Sequence, residues 1–293
     1  MITVIICTAV PGRLEKVKES IADTIGLSYE LIAVDNTDGR MGLCEAYNTA
    51  AKKASFDVLC FMHDDVQFLT KDWGKRVVAH FSADDALAAI GLAGSRYKSR
   101  TLSGWWSGLA DCDCCNIRQQ KPDGEIEHVY VRPPLLSGDV IPVRVLDGVW
   151  ICMRKEVWQE FPFAEEQLRR FHFYDVDVSL RISAKRKVAV VYDVDLVHFS
   201  YGAFGNDWIR EAIRFHRSVN QVKLPGAIGT PHERNPERAV MRAWLLRLRR
   251  EKISLRNKLA WCKTAGVWQN PGNWPYIFLF LTSISFARFR KKA

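Results

Sequence analysis

The chain has 293 residues, of which 48% are apolar, 26% charged and 11% aromatic. A chain of this length and apolar content buries a full core without disulfides or a structural metal, and the composition excludes a disordered, collagen-like or repeat protein. The formal net charge is +9, with basic residues recurring near the C-terminus at Arg247, Arg249, Arg250, Lys252, Arg256, Lys258, Arg288, Arg290, Lys291 and Lys292; such a stretch attracts nucleic acid, anionic lipid or acidic substrates without choosing among them.

Met1 to Cys7 carries neither a basic n-region nor a small-residue cleavage site, so the expected compartment is the cytoplasm. The eight cysteines fit that compartment as reduced thiols. Ile2 to Cys7 is a bare β-branched run, the pattern of a strand buried on both faces. Arg13 to Ile25 has helical spacing and stops at Gly26, and Tyr29 to Val34 repeats the strand pattern. Gly42 to Ala54 is again helical and Val58 to Met62 again a strand. The resulting β-α-β-α-β order predicts an α/β domain, a mostly parallel central sheet with helices on both faces.

Residues 95–142 break this rhythm with Gly, Pro, Trp and Cys, and Lys121-Pro-Asp-Gly-Glu125 reads as a hairpin turn. The segment is expected to form an insertion over a pocket. Regular structure is predicted again at Asp147 to Met153, Glu156 to Phe161, Asp175 to Lys185, Val188 to Tyr192 and Asn206 to Val222. Beyond Pro236 a basic helix through Lys263 and an apolar run from Trp274 to Phe289 are expected, the latter shorter than the ~20 residues that cross a bilayer. The predicted organisation is one domain over 1–225 and a basic amphipathic helical tail over 226–293.

Ligands of such sheets bind at the carboxyl ends of the strands. Thr8, Asp35 to Asp38 and His63 to Asp65 occupy those positions, placing several acidic groups around one crevice. Adjacent carboxylates repel, so the Asp64-Asp65 pair calls for a cation, a donor network or a solvated turn. Further on lie Asp147-Gly-Val-Trp-Ile-Cys-Met-Arg154, Phe173-Tyr-Asp-Val-Asp-Val-Ser-Leu-Arg181 and His198-Phe-Ser-Tyr-Gly202.

This ordered set, over roughly Ile2 to Gly202, resembles the family-2 type of inverting glycosyltransferase with the Rossmann-like GT-A fold, in the glycosyltransferase-like branch that includes the streptomycin-biosynthesis type. The resemblance implies a nucleoside diphosphate sugar donor, an acceptor hydroxyl and one Mg²⁺ or Mn²⁺ ion. It puts Thr8, Asp35, Asn36, Asp38, Asn48, His63 and Asp64 at the donor, although Tyr47 stands where that family usually has Arg and His63 replaces the first Asp of its metal motif. It puts Asp65 and His198 at the metal, Asp175 as catalytic base and Asp177 beside it, with Tyr174 in place of the family's Glu. Asp175 and Asp177 also suit the positive end of the following helix, and His198 also reads as a buried histidine beside the sheet.

Two further clusters have two readings each. Asp111-Cys-Asp-Cys-Cys115 is either half of a zinc site lacking its second ligand pair or a group of loop thiols, the second being favoured. Trp105-Trp106 either stacks on a sugar or packs a lid onto the core. The enzyme reading expects a glycan or lipid-linked acceptor and a tail resting on anionic membrane, with no nucleic-acid partner. A rival reading makes the α/β domain a non-catalytic scaffold whose basic tail binds membrane or nucleic acid.

Overall fold

The computed structural model describes residues 1–200, 202 and 204–282. A central seven-stranded sheet is built from β1 (Ile2–Thr8), β2 (Tyr29–Asp35), β3 (Val58–Met62), β4 (Leu87–Gly91), β5 (Val140–Pro142), β6 (Trp150–Arg154) and β7 (Lys187–Val191). Their spatial order is β5-β7-β4-β6-β3-β1-β2. The expected mostly parallel sheet is therefore corrected to a mixed one. β1 runs parallel to β2 and β3, and β7 parallel to β4, but β6 is antiparallel to both its neighbours and β5 antiparallel to β7. Bare apolar runs announce burial on both faces and carry no information on direction.

The helices are α1 (Arg13–Thr24), α2 (Leu43–Ala51), α3 (Trp73–Ala83), α4 (Lys155–Glu160), α5 (Tyr174–Ser183), α6 (Asn206–Arg214), α7 (Pro236–Leu248), α8 (Leu255–Thr264) and α9 (Trp274–Leu281). Successive side chains of β1 feed opposite cores. Val4 and Ile6 pack with Val17 and Ile21 of α1 and Trp73 and Val77 of α3. Ile5 joins the core of α2, α4 and α5, which continues through Trp208, Trp244 and Trp261.

A second sheet lines Val145–Leu146, Ala93–Ser95, Asp113–Gln120, Leu196–His198 and Val66–Phe68 side by side. It absorbs much of the expected insertion. Asp113–Gln120 pairs with Ile126–Val131 across the Lys121–Glu125 turn. Cys112, Cys114 and Cys115 are buried at or in this strand, where burial pushes their thiols up, so the reading of loop thiols is corrected to core thiols. In the same sheet Leu196–His198 lies antiparallel to Val66–Phe68 with His198 opposite Val66, which sets His198 beside Asp65.

The predicted single basic helix is two helices, α7 and α8, the second capped by the Ser254 side chain at Asn257 N. Over 236–281 the chain packs on the domain rather than trailing from it. The Trp244 indole N–H donates to Trp106 O at 2.9 Å, the Trp261 indole N–H to Leu102 O at 3.2 Å, and the Tyr97 hydroxyl to Glu237 at 2.6 Å. Lys258, basic in sequence, is buried with its ammonium on Phe280 O at 2.9 Å. The expected continuation of the apolar helix through Phe289 falls outside the described residues beyond 282. No helix among the described residues is long and apolar enough to cross a membrane.

A core shared between α7 and the sheet domain has a measurable signature. Leu245, at 0% exposure, lies in that core, so Leu245→Ala is expected to cost about 2–5 kcal/mol and to move the whole urea transition followed by circular dichroism. A detached tail would leave the transition where it was.

Candidate metal centre and active site

Asp65 follows β3 and is buried, yet its Oδ1 accepts no hydrogen bond among the described residues. Two imidazoles face it instead: His198 Nε2 at 3.4 Å and His63 Nδ1 at 3.9 Å.

The tautomers of both rings follow from their outer partners. The Tyr174 hydroxyl has one proton, which it donates to Gly148 O at 2.8 Å. It must therefore accept the 2.9 Å hydrogen bond from His63 Nε2–H, leaving the Nδ1 lone pair toward Asp65. Gln119 shows its amide nitrogen to the carbonyls of His198 and Ser200, so its Oε1 accepts from His198 Nδ1–H at 3.1 Å. His198 Nε2 is then a lone pair, approached by the Ser200 hydroxyl at 3.1 Å. Burial, and after it the neighbouring His198, push the His63 imidazolium down, so charging that ring is a poor way to neutralise Asp65.

His63, Asp65 and His198 bring one ligand atom each within 4.8 Å of one another, the single such group of three among the described residues. Two oriented imidazole lone pairs and one carboxylate oxygen form a donor set that fits a divalent transition-metal ion, with outer partners of the kind that hold metal-bound histidines. The resemblance puts His63 at the donor; the structure sets its ring beside Asp65 and His198. No local signal in the sequence marks this, because Tyr174 stands 111 residues away.

The remaining donor-side residues divide. Thr8 Oγ1 donates to Asp64 at 2.8 Å, and Arg13, at the start of α1, reaches Asp64 at 3.5 Å and Asp65 at 3.2 Å. Arg13, Asp64 and Asp65 open on a cleft of about 520 Å³ walled also by Asn36, Arg169 and Arg170, whereas Thr8 does not line it. Asn36 closes the 36–41 loop through both its amide atoms on Met41. Asp35, at the end of β2, and Asp38, in the loop, stay exposed, held by Thr37 and Arg40, outside the cleft wall.

Asn48 is not brought to the cleft. Its amide is saturated by Phe163 N and O, the Trp158 indole and Glu165, a structural clamp between α2 and the 158–165 segment. Tyr47 is buried with its hydroxyl on Met62 O at 3.2 Å, so no guanidinium stands there.

On the other side of His63 lies a second, smaller cavity, of about 140 Å³. Asp175 enters it from the first turn of α5 and Asp147 from the loop before β6; burial, and then the Asp147 charge, push the Asp175 carboxyl up to about 7. Asp177 points elsewhere, paired with Arg181 at 2.7 Å along the helix, as residues two apart on a helix must diverge. Arg13, Asp147, Arg169 and Arg170 were not singled out as site residues in the sequence, nor were the cavity's Trp208, Trp244 and Arg247. Of these, only Asp147 carried a signal, as the first residue of a quoted motif.

The comparisons bear on this geometry. The model of a glycosyltransferase-like family matches residues 4–218. No curated protein matches the chain. Among solved structures, S. aureus TarS 1-349 in complex with UDP superposes with a TM-score of 0.51 at 13% identity, covering 99% of this chain and 92% of that one. The mannosyltransferase PcManGT from Pyrobaculum calidifontis, in complex with GDP-Man and Mn²⁺, gives 0.50 at 14%, covering 100% and 88%. GalNAc-T7 with UDP, GalNAc and Mn²⁺ gives 0.50 at 11%, covering 73% of this chain and 48% of that one, so the chain spans about half of its length. At these identities the structures speak for the shared GT-A fold, and it is the match over residues 4–218 that places the chain in the glycosyltransferase-like family.

Proposed function

We propose that the protein is a metal-dependent inverting glycosyltransferase that moves a sugar from a nucleoside diphosphate donor to an acceptor hydroxyl. The observation that carries the reading is the His63, Asp65, His198 group, whose proton-free ligand atoms converge where the two cavities meet. The larger cleft suits the donor. Asn36 lies in its wall, and the guanidiniums of Arg13, Arg169 and Arg170 supply positive charge suited to a diphosphate. A divalent ion held by the three ligands neutralises charge on the leaving diphosphate when bound.

The smaller cavity suits the acceptor. Asp175 there takes the proton of the attacking hydroxyl, whose oxygen bonds the anomeric carbon. The bond from that carbon to the diphosphate oxygen breaks, and the diphosphate leaves with the electron pair. Acceptor and leaving group on opposite sides of the sugar give inversion. Mn²⁺ in two solved neighbours, GalNAc-T7 and PcManGT, supports the metal, and imidazole ligands favour such an ion over Mg²⁺.

We further propose that the C-terminal region rests on anionic membrane. Trp268, Trp274 and Phe278 are 46%, 56% and 67% exposed at and beside α9, a surface suited to the membrane interface.

Metal, base and membrane each have a test. Asp65→Ala removes the Mn²⁺-dependent thermal stabilisation by a panel of nucleoside diphosphates, and Tyr174→Phe, which keeps the ring, weakens Mn²⁺ affinity by about 10- to 100-fold; undiminished Mn²⁺-dependent stabilisation in Asp65→Ala refutes the centre. Because a base acts only when deprotonated and the Asp175 carboxyl sits at about 7, kcat/KM for transfer rises with pH through that value and levels off above it. Asp175→Asn lowers transfer by about 10²- to 10⁴-fold and abolishes that rise while leaving nucleotide stabilisation in place. Flotation with anionic vesicles recovers the protein, and recovery falls when Trp274 and Phe278 are changed to Ser; equal recovery contradicts membrane docking.

A further inference from the structure

The acceptor cavity has a wall that the family match does not reach, since Trp244 and Arg247 of α7 lie beyond residue 218. The Trp208 and Trp244 rings stack at 4.9 Å with 6° between their planes. The Trp244 indole N–H holds the 104–106 loop through Trp106 O at 2.9 Å. Arg247 lies over Phe204 at 4.3 Å and over Trp106 at 5.2 Å, joining helix and loop into one surface. Trp105, half-buried, completes the lining on the loop side.

At about 140 Å³ the cavity is small; a void of this order holds one six-membered ring. Its two ends differ in chemistry. One is aromatic: Trp208 and Trp244 are buried behind it, and the partly exposed rings of Trp105, Trp106 and Phe204 line it; ring faces, negative by their quadrupole, attract C–H groups. The other carries the carboxylates of Asp147 and Asp175, together with His172, which accept and orient hydroxyl groups. A pyranose has both requirements in one ring: C–H faces above and below, hydroxyls around the edge. A flat phenol satisfies the aromatic end and leaves most of the carboxylate end unmatched.

We infer that the acceptor is a saccharide, one pyranose residue of which enters this cavity and stacks on its aromatic wall, and that α7 and the 104–106 loop select it. This rests on the glycosyltransferase reading above. Trp105 and Arg247 are then specificity-determining residues.

The test measures saturation-transfer NMR for a panel of methyl pyranosides, neutral, N-acetylated and uronic, and for 4-nitrophenol. It uses the full chain with Mn²⁺ and the nucleoside diphosphate that stabilises it most. At least one pyranoside is expected to bind, with its ring C–H protons receiving most saturation and 4-nitrophenol receiving none. Trp105→Ala and Arg247→Met are each expected to weaken that pyranoside at least tenfold, with nucleotide stabilisation unchanged. If no pyranoside binds, if 4-nitrophenol binds in their place, or if both variants bind as the parent does while nucleotide stabilisation is intact, the saccharide inference is overturned and the donor reading stands. Absence of any nucleotide stabilisation in the parent overturns both.

Discussion

The antiparallel course of β6 is the constraint on which the site depends. β6 lies between β3 and β4 and runs against both, with Trp150 opposite Met62. Its first residues therefore meet the last residues of β3, and His63 N donates to Val149 O at 3.1 Å. A parallel strand in this place would carry Asp147 and Gly148 to the far edge of the sheet. Gly148 is needed as well as well placed: a Cβ there would meet the Tyr174 hydroxyl at 2.1 Å, the group that orients His63.

Other parts of the centre arrive by the same kind of long-range registration. Val66–Phe68 and Leu196–His198 pair antiparallel, which carries His198 across the fold to Asp65. Gln119, from the strand on the other side of Leu196–His198, then fixes that ring. Two segments separated in sequence, 63–65 and the strand ending at His198, thus aim lone pairs at one point, while Asp175, whose carboxyl is pushed up to about 7, stands on the opposite side of His63. The low dielectric that makes an unpaired buried acceptor costly is what makes a cation at that point favourable.

Much of this was legible in the sequence, and the rest was not for definite reasons. Buried strands showed themselves as bare apolar runs, Val58–Met62 to the residue, and the polar groups after them marked the edge where the candidate site lies. Strand direction was illegible because apolar runs have no polarity. Asp65 and His198 were singled out through the resemblance, and the structure sets them side by side; that the His63 ring also faces Asp65 depends on a contact with a distant tyrosine. Asn48 sits in a helix that reads as donor-binding, yet its partners come from 158–165. The basic residues of 236–263 suggested an amphipathic tail set apart from the domain, whereas Trp244, Leu245 and Trp261 on the same segment fix it to the core. Charge shows what the outward face meets and says nothing of the inward one.

Phe173, at φ +70°, precedes α5 in the left-handed region, a conformation that costs an ordinary residue roughly 1–2 kcal/mol. Its ring is stacked on Phe215 at 5.1 Å and tilted against Trp208 at 5.3 Å. Glycine would relax the backbone and lose that stack. The residue that aims Asp175 is thereby the same one that buttresses the aromatic wall through Trp208. Mutational drift in the two cannot proceed independently: a lineage that reshapes the wall to admit another ring inherits a displaced carboxylate, and has to regain its aim with compensating changes at the start of α5.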